Sequence, residues 1–253
     1  MTIIDSFYEN FRSFAAMLTE VRGGSLMQSG GVFAAASILS CADENYALFD
    51  DNAVLSDVSA AVSFFARRNS DFEVPVFNDA ESLMQNAGMV RHASFTAMYL
   101  SRDKMFGHIS GCSSFVCIDS ANAHRWGEAV WRGFGGKAFS SEENEAADFY
   151  ADIAVHPQNR AFALSLRGRF AATALIHRSK TVNGLYYFST LPDERCRGCA
   201  TALLDCVGAL LYAEGLPLVL LATEEGLPFY LNYGLSVLRT VPMYSFAARY
   251  TDK

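Results

Sequence analysis

Residues 185–234 read LYYFSTLPDERCRGCATALLDCVGALLYAEGLPLVLLATEEGLPFYLNYG. The first seven, Leu185 to Leu191, are apolar and aromatic and read as a strand. Pro192 to Gly198 is a polar, glycine-ended loop. A helical stretch follows to Glu214, with Leu203, Cys206 or Val207, Leu210 and Leu211 facing inward and Gly215 as its C-cap. Val219–Leu221 is a continuous apolar run, as in a central strand covered on both faces. A short helix then starts near Leu227, carries Pro228 in its first turn, where proline costs nothing, and ends at Gly234. Strands alternating with helices define a β-α-β-α unit and place the chain in the α/β class with a mixed sheet. The loop lies between a strand's end and a helix's start. There, unbonded backbone N–H groups and the positive end of the helix dipole attract an anion. Residues 196–201 (Cys196, Arg197, Gly198, Cys199, Ala200 and Thr201) can point their N–H groups inward together, and Gly198 lets the backbone approach a ligand.

On these residues the chain resembles a known family. Arg195-x-x-Gly198-x-Ala200 resembles the Q/R-x-x-G-x-G/A loop of GNAT-type N-acetyltransferases, which holds the pyrophosphate of acetyl-CoA. Tyr230-x-x-x-Gly234 resembles that family's next motif, whose tyrosine sits near the thioester sulfur and commonly serves as general acid. The resemblance covers about residues 115–253 well and the first half in part. It implies a GNAT-like fold, acetyl-CoA as co-substrate without a metal, and direct attack of a small-molecule or peptide amine on the thioester. Tyr230 becomes the catalytic candidate. Backbone groups of Phe188, Ser189, Thr190 and Leu191 become partners of the pantetheine arm, and Arg195 and Arg197 flank the phosphates. The family often has an asparagine seven residues before its tyrosine; here Thr223 takes that place as a cofactor contact. The acceptor amine and the general base carry no sequence signature, and a homodimer is left open.

Two other functions compete with this one. Cys196-x-x-Cys199 at a helix N-terminus after a strand is also the arrangement of a thioredoxin-like thiol oxidoreductase, because the dipole lowers a thiol's pKa. A zinc site would need a second ligand pair, and no second C-x-x-C or H-x-x-x-H is present. The bland reading treats both cysteines as small residues in a crowded loop. The other competitor is a CoA-binding protein without catalysis.

Composition sets the wider frame. Of 253 residues, 51% are hydrophobic and 19% charged, enough for a substantial core and too apolar for disorder. No run of 18 apolar residues occurs, so no membrane span is expected, and the acidic, non-basic N-terminus does not read as a secretory signal. A cytoplasmic protein follows, with six cysteines (41, 112, 117, 196, 199 and 206) as free thiols. The net charge of −7 weighs against nucleic acid as partner. Residues 1–114 hold 7 basic and 13 acidic side chains, residues 115–253 hold 13 and 14, so the half with the anion loop is the less acidic one.

In chain order, the spacing predicts a helix over 3–20, a break at Gly23-Gly24, a helix or strand at 31–39 and a short strand at Tyr46–Asp50. A helix to about Arg68 would be capped by Asp57; a strand at Phe72–Phe77, a helix capped by Asn78 or Asp79, and a strand at Val90–Leu100 follow. Phe72–Tyr99 parallels Leu218–Tyr244: strand, capped helix, Asn-x-Gly, then a strand ending Met-Tyr. Two tandem copies of one fold are therefore expected, a degenerate half at 1–114 and a cofactor-binding half at 115–253, linked through 103–118. In the first copy no glycine loop precedes the helix, and Met84 stands where the second copy has Tyr230.

In the second half, residues 120–150 read as one or two helices broken at Gly133-x-Gly135-Gly136, with Trp126, Trp131, Phe134 and Phe139 as core or as acceptor-side aromatics. The acidic run Glu142–Glu145 starts a helix. Asp152–Val155 alternates as a short strand, and His156-Pro157 is a turn. Phe162–Leu166 and Phe170–His177 form a hairpin, and Val182-Asn183-Gly184 makes a second, tight turn into the cofactor strand.

Overall fold

The computed structural model describes residues 2–105 and 114–246. Cys112 and half of the expected linker lie outside them. The N-terminal part runs α1 (Ile3–Glu20), β1 (Ser25–Ser29), β2 (Val32–Ala36), β3 (Asn45–Phe49), α2 (Leu55–Ala66), β4 (Val74–Pro75), α3 (Glu81–Asn86) and β5 (Met89–Leu100). The C-terminal part runs β6 (Phe115–Cys117), α4 (Ala123–Gly133), α5 (Ser141–Ala154), β7 (Asn159–Leu166), β8 (Arg169–Arg178), β9 (Asn183–Thr190), α6 (Cys199–Glu214), β10 (Leu218–Ala222), α7 (Leu227–Tyr233) and β11 (Ser236–Phe246). The order β3-α2-β4-α3-β5 recurs as β9-α6-β10-α7-β11, so the duplicated pattern extends over five elements. Among the described residues no helix is long and apolar enough to cross a membrane.

The chain divides into two compact units that are not consecutive stretches. One comprises Thr2–Ala97 with Leu221–Pro228 and the segment from Val237 on; the other comprises Met98–Leu220 with Phe229–Ser236. In the first, β1, β2 and β3 form an antiparallel sheet, and β4 pairs antiparallel with β11 through Pro75↔Met243 and Val74↔Tyr244. Its core gathers Val32, Phe49, Phe64, Phe65, Phe72, Met84 and Tyr244. Asp57 is not the cap of α2 but its third residue: Val54 holds the capping position, and the Asp57 carboxylate reaches back to accept its N–H. The strand expected at Phe72–Phe77 is confined to Val74–Pro75, because Glu73 makes only an isolated parallel bridge to Tyr46. Asn78 does not cap α3 directly; its amide donates to the Phe49 carbonyl at 2.8 Å and its oxygen accepts from Ala80 N–H.

The other unit orders its strands β6-β7-β8-β9-β10, antiparallel except for β9 and β10. Trp126 fastens α4 to this sheet: fully buried, it donates its indole N–H to the Phe162 carbonyl at 2.9 Å. Asp152–Val155 is not a strand. Ser140 caps α5 by accepting the Glu143 N–H, and apolar Ala146, Ala147, Phe149, Tyr150 and Ile153 continue at helical spacing to Ala154. A four-residue apolar alternation cannot be told from the end of such a helix by pattern alone. Nor do Asn183 and Gly184 make a turn. The reversal comes earlier, where Ser179 donates to the Val182 carbonyl, and both residues are already paired in β9.

Two outcomes follow. Trp126→Phe removes the indole donor from the Phe162 carbonyl and part of a fully buried side chain, and should cost about 1–3 kcal/mol in a urea melt. In the first unit, burial, reinforced by Asp43, pushes the Glu73 carboxyl from 4.5 up to about 7, while burial lowers the His92 imidazole 3.5 Å away. Both shifts favour the neutral forms. A raised folded-state pKa gives stability that is complete below the unfolded value and lost as pH climbs through the folded one. The wild type should therefore lose on the order of 3 kcal/mol relative to Glu73→Gln between pH 4.5 and about 7.5. Paired melts across that range read the difference, and a pH-independent difference counts against it.

Candidate functional site

The site begins with an irregularity in β9. Opposite β8, Thr173 faces Ser189 and Leu175 faces Tyr186, so two residues of β9, Tyr187 and Phe188, stand against Ala174 alone. Tyr187 absorbs the extra length with φ +46°, a left-handed conformation that a tyrosine adopts only when held. Its displaced carbonyl is taken by the Thr173 hydroxyl at 2.9 Å, and that oxygen also lies 2.8 Å from Ser189 Oγ. A bulge bends the strand that carries it. On the opposite edge, β9 pairs with β10 only through Asn183↔Leu218 and Gly184↔Val219. Beyond Gly184 the two strands part, and the edge from Leu185 to Thr190 has no strand partner on that side among the described residues. An extended polar chain could lie along such an edge.

From β9 the chain turns through Pro192–Glu194 into α6. Cys196 and Gly198 both take positive φ, +58° and +77°, so the backbone curls before the helix starts. Gly198 is the N-cap and offers no side chain; no acid occupies the first turn, and Ala202 is the first residue whose N–H returns to Gly198. The N–H groups before it are the unbonded donors that an anion requires. Both arginines are engaged within the protein. Arg195 donates to the Thr190 carbonyl at 3.2 Å and to the Gly133 carbonyl at 3.3 Å, tying the end of β9 to the end of α4. Arg197 pairs with the buried Glu194 at 2.8 Å. Cys199 is buried, and burial together with Glu194 raises its thiol pKa; Cys196 is exposed. Ala200 and Thr201 follow on the first turn.

Tyr230 lies on α7 and is 8% exposed. Its ring meets Phe188 of β9 at 6.1 Å and Phe229 edge-on at 5.2 Å, and Phe229 stacks with Phe188 at 6.0 Å. Burial raises its pKa well above 10, so the phenol keeps its proton. The site thus joins Phe188–Thr190, the Cys196–Thr201 turn and Tyr230 within one unit. Thr223 belongs to the other unit, where its hydroxyl accepts the Gly226 N–H and its carbonyl the Leu227 N–H.

Three features of the site had no sequence signal or a misleading one. The bulge falls on a tyrosine, which has no preference for positive φ. Ser189 packs so closely on Gly133 that a Cβ there would run into its Oγ. Of the four aromatics, only Trp126 is core; Phe134 and Phe139 are 63% and 92% exposed, on the loop between α4 and α5.

The corresponding place in the first unit is built differently. The turn from β3 to α2 carries Asp50 and Asp51, and the Asp57 carboxylate already occupies the start of α2. Tyr8 donates its hydroxyl to Asp50, Asn78 takes the Phe49 carbonyl, and Met84 is fully buried. An anion would meet three carboxylates there and few open donors.

One outcome tests the bulge. Thr173→Val keeps the shape and removes the donor to Tyr187, so it should cost about 1–3 kcal/mol of stability, read by chemical denaturation. A neutral result would show that the bulge does not lean on this hydroxyl.

No family model matches the chain, and no curated protein does. Solved structures do. A GCN5-related N-acetyltransferase from Kribbella flavida aligns over 95% of both chains at 11% identity with a TM-score of 0.69. A functionally unknown conserved protein from Staphylococcus epidermidis aligns over 88% of this chain and 94% of its own, at 10% identity and a TM-score of 0.65. A tandem GNAT protein from the clavulanic acid biosynthesis pathway aligns over 95% and 94%, at 12% identity and a TM-score of 0.58. At such identities the likeness speaks for the fold. Joined to the repeated five-element order, it shows that this chain has the GNAT-type fold, matched over nearly its whole length by structures that include a tandem GNAT protein.

Proposed function

We propose that the protein is an N-acyltransferase that moves an acetyl group from acetyl-CoA to an amine. The observation that carries this reading is the bulged edge of β9 leading directly into an uncapped, glycine-started helix, with a protonated tyrosine against the same strand. Residues Phe188–Leu191 offer backbone groups to the pantetheine arm. The N–H groups of Cys196–Thr201 offer charge-compensating donors to the pyrophosphate. In direct attack the amine forms its bond to the acetyl carbon as the carbon–sulfur bond breaks. The Tyr230 phenol donates its proton to the departing thiolate, and the amine loses one proton to solvent or to a carboxylate. Because burial holds the phenol protonated, the rate should show no falling limb near pH 10 from this group.

The thiol-oxidoreductase alternative draws less support. The exposed thiol, Cys196, lies two residues before the N-cap and so outside the helix, while Cys199 at the helix start is buried with a raised pKa, so exposure and a helix-start position do not meet in one cysteine. The Cys196→Ser, Cys199→Ser double variant should retain CoA binding, since the loop acts through backbone groups.

The cofactor assignment is tested by thermal shift. Acetyl-CoA at 100 times its Kd should stabilise the protein by about 2.7 kcal/mol, and Gly198→Glu should abolish the shift by placing an anion in the turn. Calorimetric titration should give one CoA per chain, because the first unit holds Asp50, Asp51 and Asp57 at the equivalent turn. Tyr230→Phe should keep that binding and slow transfer roughly 100- to 10,000-fold on an amine found by screening. Two CoA per chain, or a Gly198→Glu protein that still shifts, refutes the assignment. Binding without turnover on any amine favours the non-catalytic CoA-binding reading.

A further inference from the structure

We infer that Asp205 is a positioning residue for Tyr230: it accepts the Tyr233 hydroxyl and so fixes the rotation of α7 about its own axis. This rests on the reading of Tyr230 as proton donor. The helix has seven residues, too few to hold its shape without tertiary contacts. Among the described residues of its unit, ring packing and two side-chain hydrogen bonds hold it, the Tyr230 ring itself lying against Phe188. Phe229 packs on Phe188, Lys104 donates to the Gly234 carbonyl at 3.2 Å, and Tyr233 donates its hydroxyl to Asp205 Oδ1 at 2.7 Å. The first is apolar and tolerates sliding, and the second lies beyond the last turn. The third is a short, charge-assisted bond to a rigid element, and it has a direction.

The geometry links that bond to Tyr230. Residues three apart on a helix are neighbours on its surface, about 60° apart in rotation. Fixing Tyr233 therefore fixes the direction in which Tyr230 leaves the helix. Asp205 sits on α6, six residues after Cys199, about 9 Å along the axis from the turn that would take the pyrophosphate. One helix thus sets two distances: its N-terminus locates the anion, and its second turn locates the proton donor. Burial and Asp205 both raise the Tyr233 pKa, so Tyr233 remains a donor throughout the working range.

The test uses full-length protein with 13Cζ-labelled tyrosine, the Tyr230 resonance being identified by its loss in Tyr230→Phe. Asp205→Leu and Tyr233→Phe should each move the Tyr230 resonance, whether or not CoA is added. With acetyl-CoA and an accepted amine they should lower kcat about 10- to 100-fold while CoA affinity stays within twofold. Asp205→Asn keeps an oxygen acceptor and should recover most of the rate and the parent resonance. An unmoved Tyr230 resonance in Tyr233→Phe, which removes one oxygen only, overturns the proposal even if Asp205→Leu fails to fold. A loss of thermal stability equal in Asp205→Leu and Asp205→Asn, with kcat unchanged, also overturns it and leaves the bond a plain structural tie. Failure of the parent protein to bind CoA would instead count against the acyltransferase reading, and the resonance comparison would still stand.

Discussion

A tyrosine with φ +46° in the middle of a strand is the constraint on which the site depends. Left-handed backbone at a non-glycine residue costs on the order of 1–2 kcal/mol, so something must hold it. Here the Thr173 hydroxyl takes the carbonyl that the bulge removes from the ladder, and the well-paired β8 supplies the rigid side. This strain sits on an open edge. The pairing with β10 ends at Gly184, and the bulge lies three residues farther on, in the stretch that has no strand partner on that side among the described residues. The N–H and carbonyl groups of that stretch therefore lie open at the mouth of the turn into α6.

The elements nearest the site were readable in the sequence because backbone demands choose residue types there. Gly198 and Gly215 bracket α6 in left-handed conformations, and Gly234 ends α7 likewise. Loop, helix and strand therefore fall where the pattern puts them. Other features left no such mark. The bulge uses a tyrosine, and the Asp205–Tyr233 bond joins residues 28 apart. Asp152–Val155 reads as a strand because four residues cannot separate period 2 from period 3.6, and the cap that decides the matter, Ser140, lies a dozen positions upstream. Asn183-Gly184 carries a turn signal that Ser179 pre-empts.

The two halves share one plan and differ in what their helix starts carry. Both run strand, helix, strand, helix, strand. In the second, the first turn of α6 has no acid; in the first, Asp57 stands in the first turn of α2 and its carboxylate accepts the N–H of Val54, the residue before the helix. The same contrast appears one helix later, where fully buried Met84 fills space and Tyr230 carries a proton.

The last described strand, β11, is counted from Val237 onward with the unit that begins at Thr2, where it pairs with β4. On the ribosome this reverses the usual order of completion. The polypeptide emerges N-terminus first, yet the sheet of the earlier half lacks a member until nearly the whole chain has been made. Until then β4, two residues long, waits without that neighbour, and Tyr244 has not yet entered the cluster around Phe65 and Met84. The intervening unit can gather most of its own strands first. Assembly thus closes like a clasp, with β11 returning past the intervening unit to meet β4.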